Sequence, residues 1–191
     1  MIAGWNVAGW AKTVRCILQH HGTVGAWLER HQIDVLCLQE TKLAAGAVAQ
    51  DRHLLGASLP GWESFWACPA RKDNAVAGVA TLARAGLVAA ADPAPLGAAA
   101  LDDEARCLVT RIGDMALFNV YVPNPGEACR RLPATMRFLD ALRTRMREAR
   151  AAGWQVVLVG DLNLIGRPAD VHWRERHLCM DGLAAGTAIG A

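Results

Sequence analysis

VVLVGDLNLIGRPAD, from Val156 to Asp170, is the stretch whose reading decides the fold. Four apolar residues run into Gly160, and Asp161 and Asn163 follow two positions apart. A run this short and branched reads as a strand buried on both faces of a sheet that ends in a polar turn. If the strand persists through the turn, Asp161 and Asn163 stand at i and i+2 and share one face. An acid and an amide on one face can handle a water molecule together: the carboxylate takes its proton, and the amide orients it or bonds a substrate oxygen. The competing reading is a plain turn whose Asx side chains bond the local backbone.

Two further runs repeat the pattern. Ile33-Asp34-Val35-Leu36-Cys37-Leu38 leads to Gln39-Glu40, and the run from Met115 to Val122 leads to Pro123-Asn124-Pro125-Gly126. A short strand from Ile2 to Trp5 precedes Asn6, and a weaker strand signal lies at Gly78-Val79-Ala80-Thr81-Leu82 in alanine-rich surroundings. Between the strands, Thr23 to Arg30 predicts a helix with Thr23 as N-cap and Val24, Trp27 and Leu28 on one face. A longer helix begins near Pro133, turns Met136, Leu139, Leu142, Met146 and Ala149 inward and stops at Gly153. Residues 86–105, alanine-rich with two prolines, read as a surface connection, and the small residues from Gly182 onward read as a frayed tail. Strands alternating with helices predict an α/β or α+β domain of mixed layers.

A length of 191 residues with 53% apolar composition suffices for one domain with a sizeable core. The net charge of +2 does not by itself argue for nucleic acid. Between Cys129 and Arg150, however, seven arginines face only two acids. That stretch reads first as a solvated helix face and second as a DNA contact. Six scattered cysteines, with no CxxC, support neither a zinc site nor a disulfide framework and predict reduced thiols inside a cell. Met1 runs almost directly into a strand with no basic-then-apolar leader, and Arg84, Asp92, Pro93 and Pro95 interrupt the longest weakly polar stretch, so no membrane span is expected.

In layered folds of strands and helices, ligand-handling groups gather where strands end. The candidates here are Asn6, Glu40, Tyr121, Asp161 and Asn163. Glu40 offers the hard anionic oxygen that Mg²⁺ or Mn²⁺ prefers. Each has a plainer reading: Glu40 as a solvated strand terminus, Asn6 as a strand end, and Tyr121, the one tyrosine of the chain, as a core residue with its hydroxyl tied up.

Taken in order, four stretches resemble the exonuclease III-type AP (apurinic/apyrimidinic) endonucleases of the endonuclease/exonuclease/phosphatase superfamily. They are Trp5-Asn6-Val7, Leu38-Gln39-Glu40-Thr41-Lys42-Leu43, Tyr121-Val122-Pro123-Asn124 and Gly160-Asp161-Leu162-Asn163. LQETKL and YVPN are the specific ones. Asp103-Glu104-Ala105-Arg106 is similar to the acidic-Gly-Arg stretch of that family, and Met136-Arg137-Phe138-Leu139 to its RF-containing helix. Arg167-Pro168-Ala169-Asp170 after GDLN leans toward the second eukaryotic AP endonuclease class.

The resemblance spans residues 1–181 and implies an α+β four-layer sandwich, two mixed β-sheets packed face to face with helices outside, incomplete at the C-terminus. It implies a metal set of Asn6, Glu40, Asp161 and Asn163 for Mg²⁺ or Mn²⁺, with Tyr121 on the scissile phosphate, Asp161 on the attacking water and Asn163 orienting the phosphate. The implied reaction is metal-assisted hydrolysis of double-stranded DNA 5′ to abasic sites, with 3′-5′ trimming of damaged ends. The implied setting is base-excision repair in a nucleus or, in a bacterium, the cytoplasm.

Two departures bear on this. The family's Gly-Tyr-Ser-Gly-Val stretch is Ala75-Val76-Ala77-Gly78-Val79 here, without its aromatic and hydroxyl. The family's closing Ser-Asp-His is not reached, and His172 and His177 read as surface residues rather than stand-ins for it. Competing readings are therefore a catalytically impaired fragment that binds DNA or a partner, and a phosphodiesterase acting on another phosphate ester.

Overall fold

The structure, a computed structural model, describes residues 1–50, 59–70 and 77–165. The expected tail, His172, His177 and the RPAD stretch lie outside the described residues, as does the start of the 75–79 segment.

Eight strands form two four-stranded mixed sheets. The first has the order β1 (Ile2–Asn6), β2 (Val35–Gln39), β4 (Val79–Arg84), β3 (Trp62–Ala67). The second runs β5 (Ala90–Asp92), β6 (Cys107–Ile112), β7 (Met115–Tyr121), β8 (Gln155–Asp161). Pairing is parallel between β1 and β2 and between β7 and β8, and antiparallel elsewhere.

The sheets pack face to face because β2 and β7 are apolar on both sides. Val35, Cys37, Ala83 and Leu117 fill the space between them, joined by Val157 and Val159 of β8. On the outer face of the first sheet, Trp10, Val14 and Ile17 of α1 (Trp10–His21) and Val24 and Leu28 of α2 (Val24–Arg30) bury themselves against Leu36, Leu38 and Leu82, and Val48 of the short α3 (Ala45–Gln50) packs against the same cluster. On the outer face of the second, Phe138 and Leu142 of α5 (Leu132–Ala151) cover Ala116, Phe118 and Val120. The result is the four-layer α/β sandwich that the resemblance implies.

Local chemistry starts the helices where expected. Thr23 caps α2, its Oγ1 accepting from the Ala26 N–H at 3.0 Å. Proline falls in the first turn of α5, where its missing N–H costs nothing.

Several expectations need correction. The segment 86–105 is more than a surface connection: it contributes β5, the short helix α4 (Ala99–Asp102), and the buried Pro95 and Leu96. Met136 does not point inward; it is 48% exposed, and Phe138 occupies the core. The face that meets the sheet runs through Thr135, Phe138 and Leu142, and Met136, about 200° around the helix from Phe138, falls outside it. Nor is β8 buried on both faces: Leu158 is 37% exposed, because β8 ends its sheet and has a neighbour on one side only among the described residues.

The arginine-rich stretch forms the solvent face of α5. Two of its arginines pair within the helix, Arg143 with Asp140 at 3.1 Å and Arg145 with Glu148 at 2.5 Å. Such exposed pairs contribute about 0.3–0.5 kcal/mol each.

The described cysteines are all free thiols. Cys37 and Cys107 are buried, and burial pushes both thiols up, Cys37 to about 12. Cys16 and Cys129 are exposed. Since the thiolate is the nucleophile, alkylation near neutral pH is expected at Cys16 and Cys129, with Cys37 and Cys107 reacting only after denaturation. Peptide mapping after a short iodoacetamide pulse reads this, and rapid labelling of Cys37 in the native protein would contradict the burial.

Candidate active site

The C-terminal ends of β1, β2, β7 and β8 meet at one edge of the sandwich and bring Asn6, Glu40, Tyr121 and Asp161 together. At the centre is Asn6. Its Nδ2 donates to Glu40 Oε1 at 2.9 Å and to Asp161 Oδ2 at 2.8 Å, so one amide ties a carboxylate of the first sheet to a carboxylate of the second. Its Oδ1 accepts from the Ala8 N–H at 3.1 Å, which fixes the orientation of the amide. Asp161 stands opposite Tyr121 in the parallel β7–β8 register.

Glu40 needs a special backbone. Strand alternation would send it to the face opposite Gln39, but Glu40 adopts a φ of 53°, and so does its neighbour Lys42 with 54°. Non-glycine residues in this left-handed region hold about 1–3 kcal/mol of strain and persist only where their surroundings impose it. The surroundings here are backbone hydrogen bonds. The amides of Val7, Gly9 and Trp10 donate to the carbonyls of Gln39, Glu40 and Thr41, while those of Thr41 and Lys42 donate to Gly78 and Ala77.

Electrostatics keep Glu40 ionised. Burial raises its carboxyl, but hydrogen bonds from Asn6, Lys42 and Tyr121 outweigh burial and hold the group below its ordinary range. Lys42 Nζ lies 3.1 Å from Glu40 Oε2. For Tyr121, burial pushes the phenol up and the bond to Glu40 adds to it, while Arg106 opposes both. The Arg106 guanidinium lies 4.8 Å from the centre of the Tyr121 ring, is 4% exposed, and is anchored through Nε to Glu104 at 2.6 Å.

Asn163 does not share a strand face with Asp161. The strand stops at Asp161, Asn163 has a φ of 48°, and its N–H donates to Asp161 Oδ1 at 2.9 Å. This is the Asx turn of the plainer reading. The turn sends the Asn163 side chain toward the Tyr121–Asn124 loop, where Nδ2 donates to the Val122 carbonyl at 2.8 Å and Oδ1 accepts from Asn124 at 3.2 Å. Asn163 thus borders the cluster through Asp161 without a bond to Asn6 or Glu40 among those found.

Lys42, Arg106 and Asn124 were not singled out from sequence, although all three lie inside the quoted motifs. The signal was present, but nothing in a linear motif says which of its polar residues will face the site.

The donor set suits a small hard cation. Two carboxylates converge on the Asn6 amide nitrogen, and Mg²⁺ characteristically takes one or two carboxylates and completes its shell with water and phosphate. Among the described residues no three His, Cys, Asp or Glu side chains gather as a closed metal cage. The Lys42–Glu40 ion pair must open for a cation to reach both Glu40 oxygens.

Residues 3–190 match the Endonuclease/Exonuclease/phosphatase family. The chain belongs to that family.

Among curated relatives, the chain is 29% identical over 170 residues to recombination repair protein 1 of Drosophila melanogaster, covering 89% of this chain and 23% of that protein. It is 27% identical over 212 residues to human DNA-(apurinic or apyrimidinic site) endonuclease 2, covering 90% and 40% respectively. The crystal structure of the Xenopus laevis APE2 catalytic domain is similar with a TM-score of 0.73 at 26% identity, covering 90% of this chain and 60% of that one. The AP endonuclease of Leishmania major follows with a TM-score of 0.69 at 25% identity, covering 95% and 65%. The chain therefore spans less than half the length of these two curated relatives. Against the solved domains it spans about two thirds.

Proposed function

We propose that this family member is a DNA-repair phosphodiesterase that hydrolyses the backbone of double-stranded DNA 5′ to abasic sites and trims damaged 3′ ends, inside the cell and, in a eukaryote, in the nucleus. The observation that carries the reading is the Asn6 amide joining Glu40 and Asp161 beside the Tyr121 phenol. The repair activities named for relatives at 27–29% identity support it.

Bound through Glu40 and Asp161, with Asn6 and Asn163 adjoining, Mg²⁺ or Mn²⁺ would supply Lewis-acid neutralisation of the charge that builds on phosphorus. Asp161 is placed to take the proton of the attacking water as its oxygen bonds to phosphorus and the ester bond to the leaving oxygen breaks. Protonated at neutral pH, Tyr121 offers its O–H to a phosphate oxygen, and Arg106 beneath the ring holds that phenol in place. Asn163, steadied by Val122 and Asn124, presents its amide to the same phosphate. An abasic sugar has no base to unstack, so recognition rests on phosphate contacts and on easy extrusion rather than on sequence.

A duplex with one abasic site, incubated with and without Mg²⁺, tests this. A nick that appears only with metal is the expected result. Salt-sensitive binding without nicking would instead mark a binding fragment. Preference for a lipid or inositol phosphate would mark a phosphodiesterase of another class.

A further inference from the structure

Between the two sheets, beside the buried hydroxyl of Thr81, lie two buried amides. Gln39 on β2 is 1% exposed and Asn119 on β7 is 0% exposed. Gln39 Nε2 donates to Asn119 Oδ1 at 2.8 Å, directly across the gap. It also donates to the Cys37 carbonyl of its own strand at 3.0 Å. Asn119 Nδ2 donates to the Ala80 carbonyl at 2.8 Å and lies 3.3 Å from that of Leu38, residues that face each other in the β2–β4 ladder. One side chain of the second sheet is thus bonded into the ladder of the first.

The position of this contact matters more than its strength. Gln39 immediately precedes Glu40. Asn119 precedes Tyr121 by two residues on the inner face of β7, and Tyr121 pairs with Asp161. Apolar pairs are non-directional and tolerate sliding of one sheet over the other, whereas hydrogen bonds allow one register. A leucine pair would fill the same space without the desolvation that two amides require.

We propose that Gln39 and Asn119 are positioning residues: a buried amide clasp across the sheets that sets the register in which Glu40 meets Tyr121 and Asp161. That role rests on the proposed function of the site, but the clasp can be tested apart from it. Because Tyr121 is the sole tyrosine, fluorotyrosine labelling places one fluorine probe in the chain, at the site.

The wild type is expected to show a single narrow fluorine resonance. The pair Gln39→Leu with Asn119→Leu is expected to melt near the wild-type temperature, since neither amide is left stranded, yet to broaden or split that resonance. Asn119→Leu alone leaves the buried Gln39 amide with the Cys37 carbonyl but without its partner across the gap, and is expected to lower the melting temperature. In the exchange Gln39→Asn with Asn119→Gln, the amide-to-amide bond survives while one methylene moves from β2 to β7. That variant is expected to fold and to give a single, displaced line, and it carries the test if the leucine pair does not fold.

An unmoved, narrow resonance in a folded leucine pair, or in the exchange if the leucine pair is unfolded, overturns the proposal. As a second readout, Mn²⁺ affinity measured by electron paramagnetic resonance is expected to weaken about 10- to 100-fold in the leucine pair, the usual range when groups that orient metal ligands are lost. A wild type that neither holds Mn²⁺ nor nicks abasic DNA refutes the functional reading of the site, while the fluorine result still decides the clasp.

Discussion

Asp161→Ala is expected to reduce metal-dependent nicking of abasic duplex DNA by about 10³-fold or more, the scale seen when one member of a catalytic unit is removed. The geometry explains why so much rests on one carboxylate. Oδ2 accepts from Asn6 and Oδ1 from the Asn163 N–H, so the side chain joins β1, β8 and the following turn at one point. Removing it takes away the proposed proton acceptor and one of the two bonds of the Asn6 Nδ2, which leaves Tyr121 as the hydrogen-bonded link of Glu40 to the second sheet. Asp161→Asn keeps the size but not the charge, and one end of its amide would present N–H groups to the donors that Asp161 now accepts from. It is expected to lose nicking as severely. Both variants should melt close to the wild type, because Asp161 is only half-buried. Single-turnover cleavage with matched melting curves separates loss of chemistry from loss of fold. Nicking within tenfold of wild type in a folded Asp161→Ala protein would remove Asp161 from the mechanism.

The largest effect on stability is expected one residue earlier. Gly160 has a φ of 141°, and a Cβ built there would lie 2.0 Å from the Val120 carbonyl oxygen and 2.9 Å from the Val120 backbone nitrogen. β7 cannot retreat within the sheet, since β6 is paired with it on the side away from β8. Gly160→Ala therefore requires β8 to move away from β7, and it is expected to cost about 3 kcal/mol or more in urea unfolding from backbone strain and overpacking together. Gly113, with a φ of 57° and no atom within 4 Å of an added Cβ, is the control. Gly113→Ala meets the backbone penalty alone and is expected to cost about 1 kcal/mol. Equal costs at the two positions would show that the close approach of β7 and β8 is not what requires glycine in GDLN.

Much of this molecule was legible in its linear order. β2, β7 and β8 were marked by branched apolar runs of strand length, and α2 and α5 by a cap and a proline at their starts. Five polar residues were placed at strand ends, and in space four of them, Asn6, Glu40, Tyr121 and Asp161, converge, while the Asn163 side chain turns to Val122 and Asn124. α1, β3 and β6 were harder to see from residue patterns. Trp10, Val14 and Ile17 bury a helix whose other positions are mixed, and the partly exposed β3 has the sequence WESFWA, with no clean alternation.

Chain chemistry by itself determined which segments could be strands, which residues could cap helices, and which oxygens and amides were available for a phosphate and a hard cation. Those properties belong to single residues and their near neighbours. Only the tertiary structure decided that Asn163 turns toward Asn124 instead of lining up with Asp161, that Phe138 and not Met136 faces the sheet, and that Asn119 reaches across to Gln39. Each of these depends on a left-handed backbone, the rotation of a helix against its sheet or a hydrogen bond between residues far apart in sequence. Such energies exist only once the two sheets are stacked.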